Sequence, residues 1–174
     1  MKKILTALLI LAFCLGFAQR ALAEDYEDGD RLPASVIQPL MSWVELHTGV
    51  RVPYMPQVIA SQSILADIVG RKGRIMGRAR ALYVSGMVVL DHRYFDAEDT
   101  TQLSLLVHEL VHYAQSYRPQ TAWACPQEKE VEAYTLQNNW LEEQGHSPYV
   151  RASWIARMAA CPAGQTETAV AMAE

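Results

Sequence analysis

The amino-acid sequence predicts an α+β fold, mostly helical, with a small antiparallel hairpin beside a long central helix. Three observations carry the prediction. Leu103, Leu106, Val107, Leu110 and Val111 recur at the spacing of a helix with one buried face. Two β-prone runs, 81–84 and 87–90, are separated only by Ser85-Gly86, which is the spacing of a two-residue hairpin turn. Two more helical stretches follow, opened by Pro126 and by Ser147-Pro148.

The N-terminus reads as an export signal. Lys2 and Lys3 precede an apolar run over residues 4–18, and Ala21-Leu22-Ala23 offers the small residues a signal peptidase reads. This predicts a signal peptide over 1–23, removed after Ala23, and a periplasmic or extracellular destination. The run is short for a membrane anchor, and no later segment is long and apolar enough to cross a bilayer. Lipidation at Cys14 would need a small residue where the bulky Phe13 stands. Of 15 basic residues, Lys2, Lys3 and Arg20 leave with the signal. Twelve then face 19 acidic ones, a net charge of −7. Such a chain is a poor partner for nucleic acid or for anionic membranes. Cys125 and Cys161 are the cysteines that remain, and in an oxidising compartment one disulfide is the simplest use for them.

Residues 24–32 are rich in acids and read as a flexible, solvated leader. A single domain over 33–161 follows. Pro33 opens its first helix, Val36, Leu40, Val44 and His47 mark its stripe, and Gly49 stops it. Pro39 inside that span predicts a kink. Pro53 and Pro56 confine the next segment to extended structure, with one short strand near Val58. Ser61 caps a short helix over 62–69 that Gly70 ends. Arg71, Lys72, Arg74, Arg78 and Arg80 then form a solvated basic loop, or a basic rim for an acidic ligand. After the hairpin, Asp96 or Asp99 caps the central helix. Asp99 with Gln102 resembles a capping box, and Arg118-Pro119 closes the helix. The next helix runs from Pro126 to Gly145, and the last from Ser147-Pro148 to about Ala160. These two are joined by a short turn and should pack antiparallel, which brings Cys125 and Cys161 to the same end. Residues 162–174 read as a disordered tail.

The chemistry sits on the central helix. His108-Glu109-Leu110-Val111-His112 has the HExxH pattern. Residues four apart share one helix face, so the two imidazoles can bind one Zn²⁺. Glu109 projects near that face. A bound zinc lowers the pKa of its water toward about 7, and the Glu109 carboxylate can take the proton and later pass it to a leaving amine. A third ligand is needed, and Glu128, Glu130 and Glu132 lie early on the following helix. Gln115 stands three residues beyond His112, where it can orient a ligand by a hydrogen bond.

With these residues the sequence resembles the gluzincins, metallopeptidases with HExxH on one helix and a glutamate ligand on the next. It also resembles small exported bacterial zincin-like proteins. The resemblance covers residues 81–145. Glu130-Val131-Glu132-Ala133-Tyr134 is similar to the second gluzincin motif, with Glu130 as ligand and Ala133 as the small residue that lets the helices approach. Glu132 ranks second as ligand, and Tyr134 stands where many gluzincins carry an acid. The resemblance also implies that the strand near 87–90 borders the cleft and can pair with an extended substrate.

His146, Tyr149 and Arg151 are candidate donors to the oxyanion of a transition state, though packing or surface roles suit each of them too. His47 and His92 read as structural, and Trp43, Trp123, Trp140 and Trp154 as core or helix-packing residues. The expected activity is zinc-dependent hydrolysis of a peptide or protein substrate. The alternative is a non-catalytic, metal-stabilised zincin-like binding module of the cell envelope. The oligomeric state and the substrate sequence are not encoded in any spacing.

Overall fold

Four short strands form one mixed sheet in the order β1-β2-β4-β3. The structure, a computed structural model, describes residues 26–72 and 79–161. The expected signal peptide (1–23), Cys14, the tail (162–174) and most of the basic loop lie outside the described residues.

The α+β prediction holds. The strands are β1 (Asp30–Arg31), β2 (Gln57–Ala60), β3 (Ala81–Val84) and β4 (Met87–Leu90). The helices are α1 (Ala34–Thr48), α2 (Gln62–Lys72), α3 (Thr100–Gln115), α4 (Pro126–Glu143) and α5 (Ala152–Met158), with a 3₁₀ turn at Gln120–Ala122. The hairpin forms as expected. Val84 pairs with Met87 across Ser85 and Gly86, whose φ values of 48° and 85° are those of a primed turn. The sheet is larger than that hairpin, because β2 pairs parallel with β4 and β1 pairs antiparallel with β2.

The pleat explains the layers. Val58, Ala60, Val88 and Leu90 point to one face and join the main core with Met41 and Val44 of α1 and Leu106, Val107, Leu110 and Val111 of α3. Leu82 and Val89 point to the other face, where Leu65 of α2 covers them. α4 packs on α3 through Ala133, Leu136, Trp140 and Leu141. Gln137 Nε2 donates to Ser104 Oγ across this contact, at 2.9 Å.

Several boundaries differ from expectation. Residues 26–32 do not form a flexible leader. β1 pairs with β2, Tyr26 and Leu32 enter the core, and Asp28 accepts from Ser61 Oγ at 2.8 Å. A dense run of acids disguised two buried apolar anchors. α1 continues through Pro39, which lies on its exposed face. Ser61 Oγ does cap α2, yet Gly70 fails to end it and the helix runs to Lys72. α3 stops at Gln115, short of Arg118-Pro119. Its cap is Asp99, which accepts from the Thr101 and Gln102 N–H groups. The capping box is not closed: Gln102 Oε1 accepts from the Asp96 N–H at 2.7 Å, while the Asp99 N–H donates to Asp96 O at 3.3 Å.

α4 ends as expected at Gly145, with φ 78°. The His146 N–H donates to Leu141 O and the Gly145 N–H to Glu142 O, which is the paired pattern of a Schellman cap. α5 begins at Ala152 rather than at Ser147-Pro148. The physical reason is Asn138, whose amide donates to Val150 O at 2.8 Å and accepts from the Val150 N–H at 3.2 Å. Both backbone groups of Val150 are thereby held by a side chain of α4. Cys125 and Cys161 form a disulfide with Cα atoms 5.9 Å apart, stapling the two ends of the α4–α5 hairpin.

Candidate metal centre

The helical period of α3 sets His108 and His112 one turn apart on the side that faces α4. Their Nε2 atoms lie 3.1 Å from each other. Pro126 opens α4, and the Glu128 carboxylate reaches back to the Ala124 N–H at 2.6 Å. Glu130 follows on the first turns. Ala133, fully buried, has no side chain long enough to keep α4 away from α3. Glu130 Oε2 lies 3.5 Å from His108 Nε2, and Glu130 Oε1 lies 3.4 Å from His112 Nε2. His108, His112 and Glu130 offer ligand atoms that all fall within 4.8 Å of one another.

This donor set fits a divalent cation. Two imidazole nitrogens and a carboxylate converge on one point, and all three are acceptors when the imidazoles are neutral. Burial opposes ionisation of Glu130, but hydrogen bonds and charge from His108 and His112 outweigh it and hold the carboxyl well below its usual range. Burial likewise depresses His112. The Glu130 hydrogen bond, the charges of Glu109 and Glu130, and Gln115 more than restore it, so the imidazole sits above its ordinary value.

Glu109 is buried beside these three side chains, and its Oε2 accepts from the backbone N–H of Tyr83 at 2.7 Å. The carboxylate is thus tied to β3, the outer strand of the sheet. β4 does not border the cleft as expected, because it is enclosed between β2 and β3. Residues 79–83 form that wall instead, with α3 as the floor and α4 opposite. The cleft has a volume of about 730 Å³, in the range that holds a ligand.

A family model described as a domain of unknown function, DUF6647, matches residues 31–167. The chain belongs to the DUF6647 family. Neither a curated protein nor a solved structure matches it.

The matched span of this DUF6647 chain contains every element of the cleft. Of the three acidic candidates on α4, Glu130 alone joins the histidines. Glu132 is turned to Arg118, whose Nη1 lies 2.9 Å from both of its oxygens. Glu128 is used at the helix start. Gln115 does reach His112, with its Oε1 2.9 Å from His112 Nδ1.

The oxyanion candidates separate. Tyr149 lines the cleft. His146 lies instead near Asp99, at the far end of α3, and Arg151 lines a groove between α4 and α5. His47 stacks on Trp43, and His92 Nδ1 accepts from the Gln62 N–H, so both are structural as expected. Trp140 is core, whereas Trp154 is partly exposed and packs edge-on against Tyr134.

The residue that sequence reasoning undervalued in the DUF6647 cleft is Tyr134. It lines the wall with its ring 4.3 Å from that of His108. Burial first, then the negative charge of Glu130, pushes its hydroxyl up to about 12, so it remains a hydrogen-bond donor at physiological pH. The available signal was its spacing: Tyr134 stands four residues after Glu130, on the same helix face.

Proposed function

We propose that the chain is an exported zinc-dependent hydrolase of the zincin type that cleaves amide bonds in peptides or proteins. The observation that carries this reading is the convergence of His108, His112 and Glu130 in an open cleft, with the Glu109 carboxylate fixed beside them. His108, His112 and Glu130 would hold the metal. Zinc bound there supplies an acidified water and polarises the scissile carbonyl.

The chain's own residues do the rest. Tyr83 holds one oxygen of Glu109 through its N–H, which leaves the other oxygen to take the proton of the attacking water. The same carboxyl then returns the proton to the departing amine. Tyr134 donates its hydroxyl to the oxygen that becomes negative in the transition state, with Tyr149 beside it in the cleft. The outer edge of β3 presents the Tyr83 carbonyl and the backbone of Ala81 to an extended peptide, which can add as a further strand. Export fits this reading, since the Cys125–Cys161 bridge is compatible with an oxidising compartment.

Metal content by mass spectrometry, paired with a peptide-library digest, tests the proposal. The expected result is about one zinc per chain, lost in His112→Ala, with cleavage that a chelator stops. A protein that takes up no zinc would overturn it. Zinc uptake without cleavage of any peptide would leave a metal-stabilised binding module.

A further inference from the structure

The amide of Gln115 has two orientations of nearly the same shape, and its neighbours choose between them. Gln115 Nε2 lies 2.9 Å from Lys129 O and 2.9 Å from Glu132 Oε2. Both are acceptors only. A reversed amide would set its oxygen against a carbonyl and a carboxylate, losing two hydrogen bonds and adding repulsion. Oε1 therefore faces His112, and Nδ1 must carry the proton of the neutral imidazole. The lone pair then falls on Nε2, the atom turned toward His108 and Glu130.

Glu132 is held in turn. Arg118 Nη1 bonds both of its oxygens, and Arg118 Nη2 donates to the Thr48 carbonyl at the end of α1. The guanidinium offsets the cost of burying the carboxylate and fixes where it points. We propose that Glu132 and Arg118 are positioning residues that lock His112, through Gln115, in the tautomer able to bind a cation. The chain of contacts links the last turn of α1 to a metal ligand. The inference rests on reading His108, His112 and Glu130 as a metal site, yet its first consequence is a property of the metal-free protein.

Nitrogen-15 NMR of the imidazoles in metal-free protein, at alkaline pH where they are neutral, reads the tautomer directly. Wild type is expected to give the Nδ1–H form of His112 alone. Glu132→Gln keeps the shape of the side chain but can donate to Gln115, which leaves Lys129 O alone to orient the amide, so an Nε2–H population should appear beside the Nδ1–H form. Arg118→Met should shift the populations in the same direction. Zinc dissociation constants, measured by chelator competition, should rise about tenfold or more in both variants. An Nε2–H tautomer in wild type, or Nδ1–H alone in both folded variants, would overturn the relay. The wild-type spectrum needs no substitution, so a variant that misfolds leaves that test intact. Should wild type bind no zinc while the variants still shift the tautomer, the relay stands and the metal reading falls.

Discussion

The Glu109 carboxylate accepts a 2.7 Å hydrogen bond from the backbone N–H of Tyr83, joining the middle of α3 to the outer edge of the sheet. The hairpin register explains why that N–H is available. Val84 pairs with Met87 and Leu82 with Val89, and bonded pairs alternate along an antiparallel ladder. Tyr83 therefore turns its N–H away from β4. The edge strand thus has two uses, one group holding the proposed base and the others facing the cleft.

That bond makes Glu109→Gln an informative variant. The amide oxygen of glutamine can still accept from the Tyr83 N–H, so the fold and the three ligands should persist. What disappears is the ability to take a proton. Turnover should fall by about 10²- to 10⁴-fold, the usual contribution of a general base. Zinc content should stay at the wild-type level. Peptide hydrolysis and metal analysis on the same sample check it, and full turnover in the variant would dismiss the proposed mechanism.

Tyr134→Phe isolates the other side of the cleft. The ring keeps its place between His108 and Trp154, at 4.3 Å and 4.9 Å, while the hydroxyl is lost. Removal of one transition-state donor costs about 10²- to 10³-fold in kcat. KM and zinc affinity should hardly change. A weakened zinc affinity with unchanged kcat would assign Tyr134 to ligand support instead.

Much of this arrangement was legible in local sequence because local geometry fixes it. The spacing of His108 and His112 needs only a helix, Ser85-Gly86 needs only a two-residue turn, and Cys125 and Cys161 need only a short helical hairpin. What escaped depends on contacts distant in sequence. β2 pairs with β4 across thirty positions of register, from Gln57 with Met87 to Ala60 with Leu90, and no periodicity encodes that choice. Arg118 meets the carbonyl of Thr48, and Asn138 captures Val150, through side chains that look like ordinary surface residues in the sequence. The distinction between Glu130 and Glu132 is of the same kind. Spacing permits both, and the partner Arg118 removes one.

Asp28 provides a pH-dependent anchor for the N-terminal segment. Hydrogen bonds from Ser63 and Ser61 lower its carboxyl to about 2, against an ordinary value of 3.8. A depressed pKa stabilises the fold fully above the unfolded value. That contribution fades as pH falls from about 4 toward about 2. Asp28→Asn should therefore lower Tm at neutral pH, and the gap from wild type should close through that acid window. Thermal melts across pH check the sign, and a gap that widens on acidification would contradict it.

The disulfide should matter for stability more than for chemistry. It closes a loop with a sequence separation of 36 that holds all of α4, the Val150 clamp and α5. In the chain-entropy account a loop of that size is worth about 4 kcal/mol, and native bridges commonly contribute about 2 to 4. Without it, α5 keeps few ties of its own, since none of its residues is buried. The body of α4 is better secured, because Ala133, one turn beyond Glu130, and Leu136, Trp140 and Leu141 further along belong to the main core. Cys125→Ala with Cys161→Ala should thus lower the unfolding free energy by about 2 to 4 kcal/mol. Hydrogen exchange should quicken first in α5 and at the start of α4. Zinc should still bind below the melting temperature, because His108 and His112 lie on α3 and Glu130 is held by the α3–α4 contact. Loss of zinc from a variant that remains folded would show that the bridge, and not the core, sets the position of Glu130.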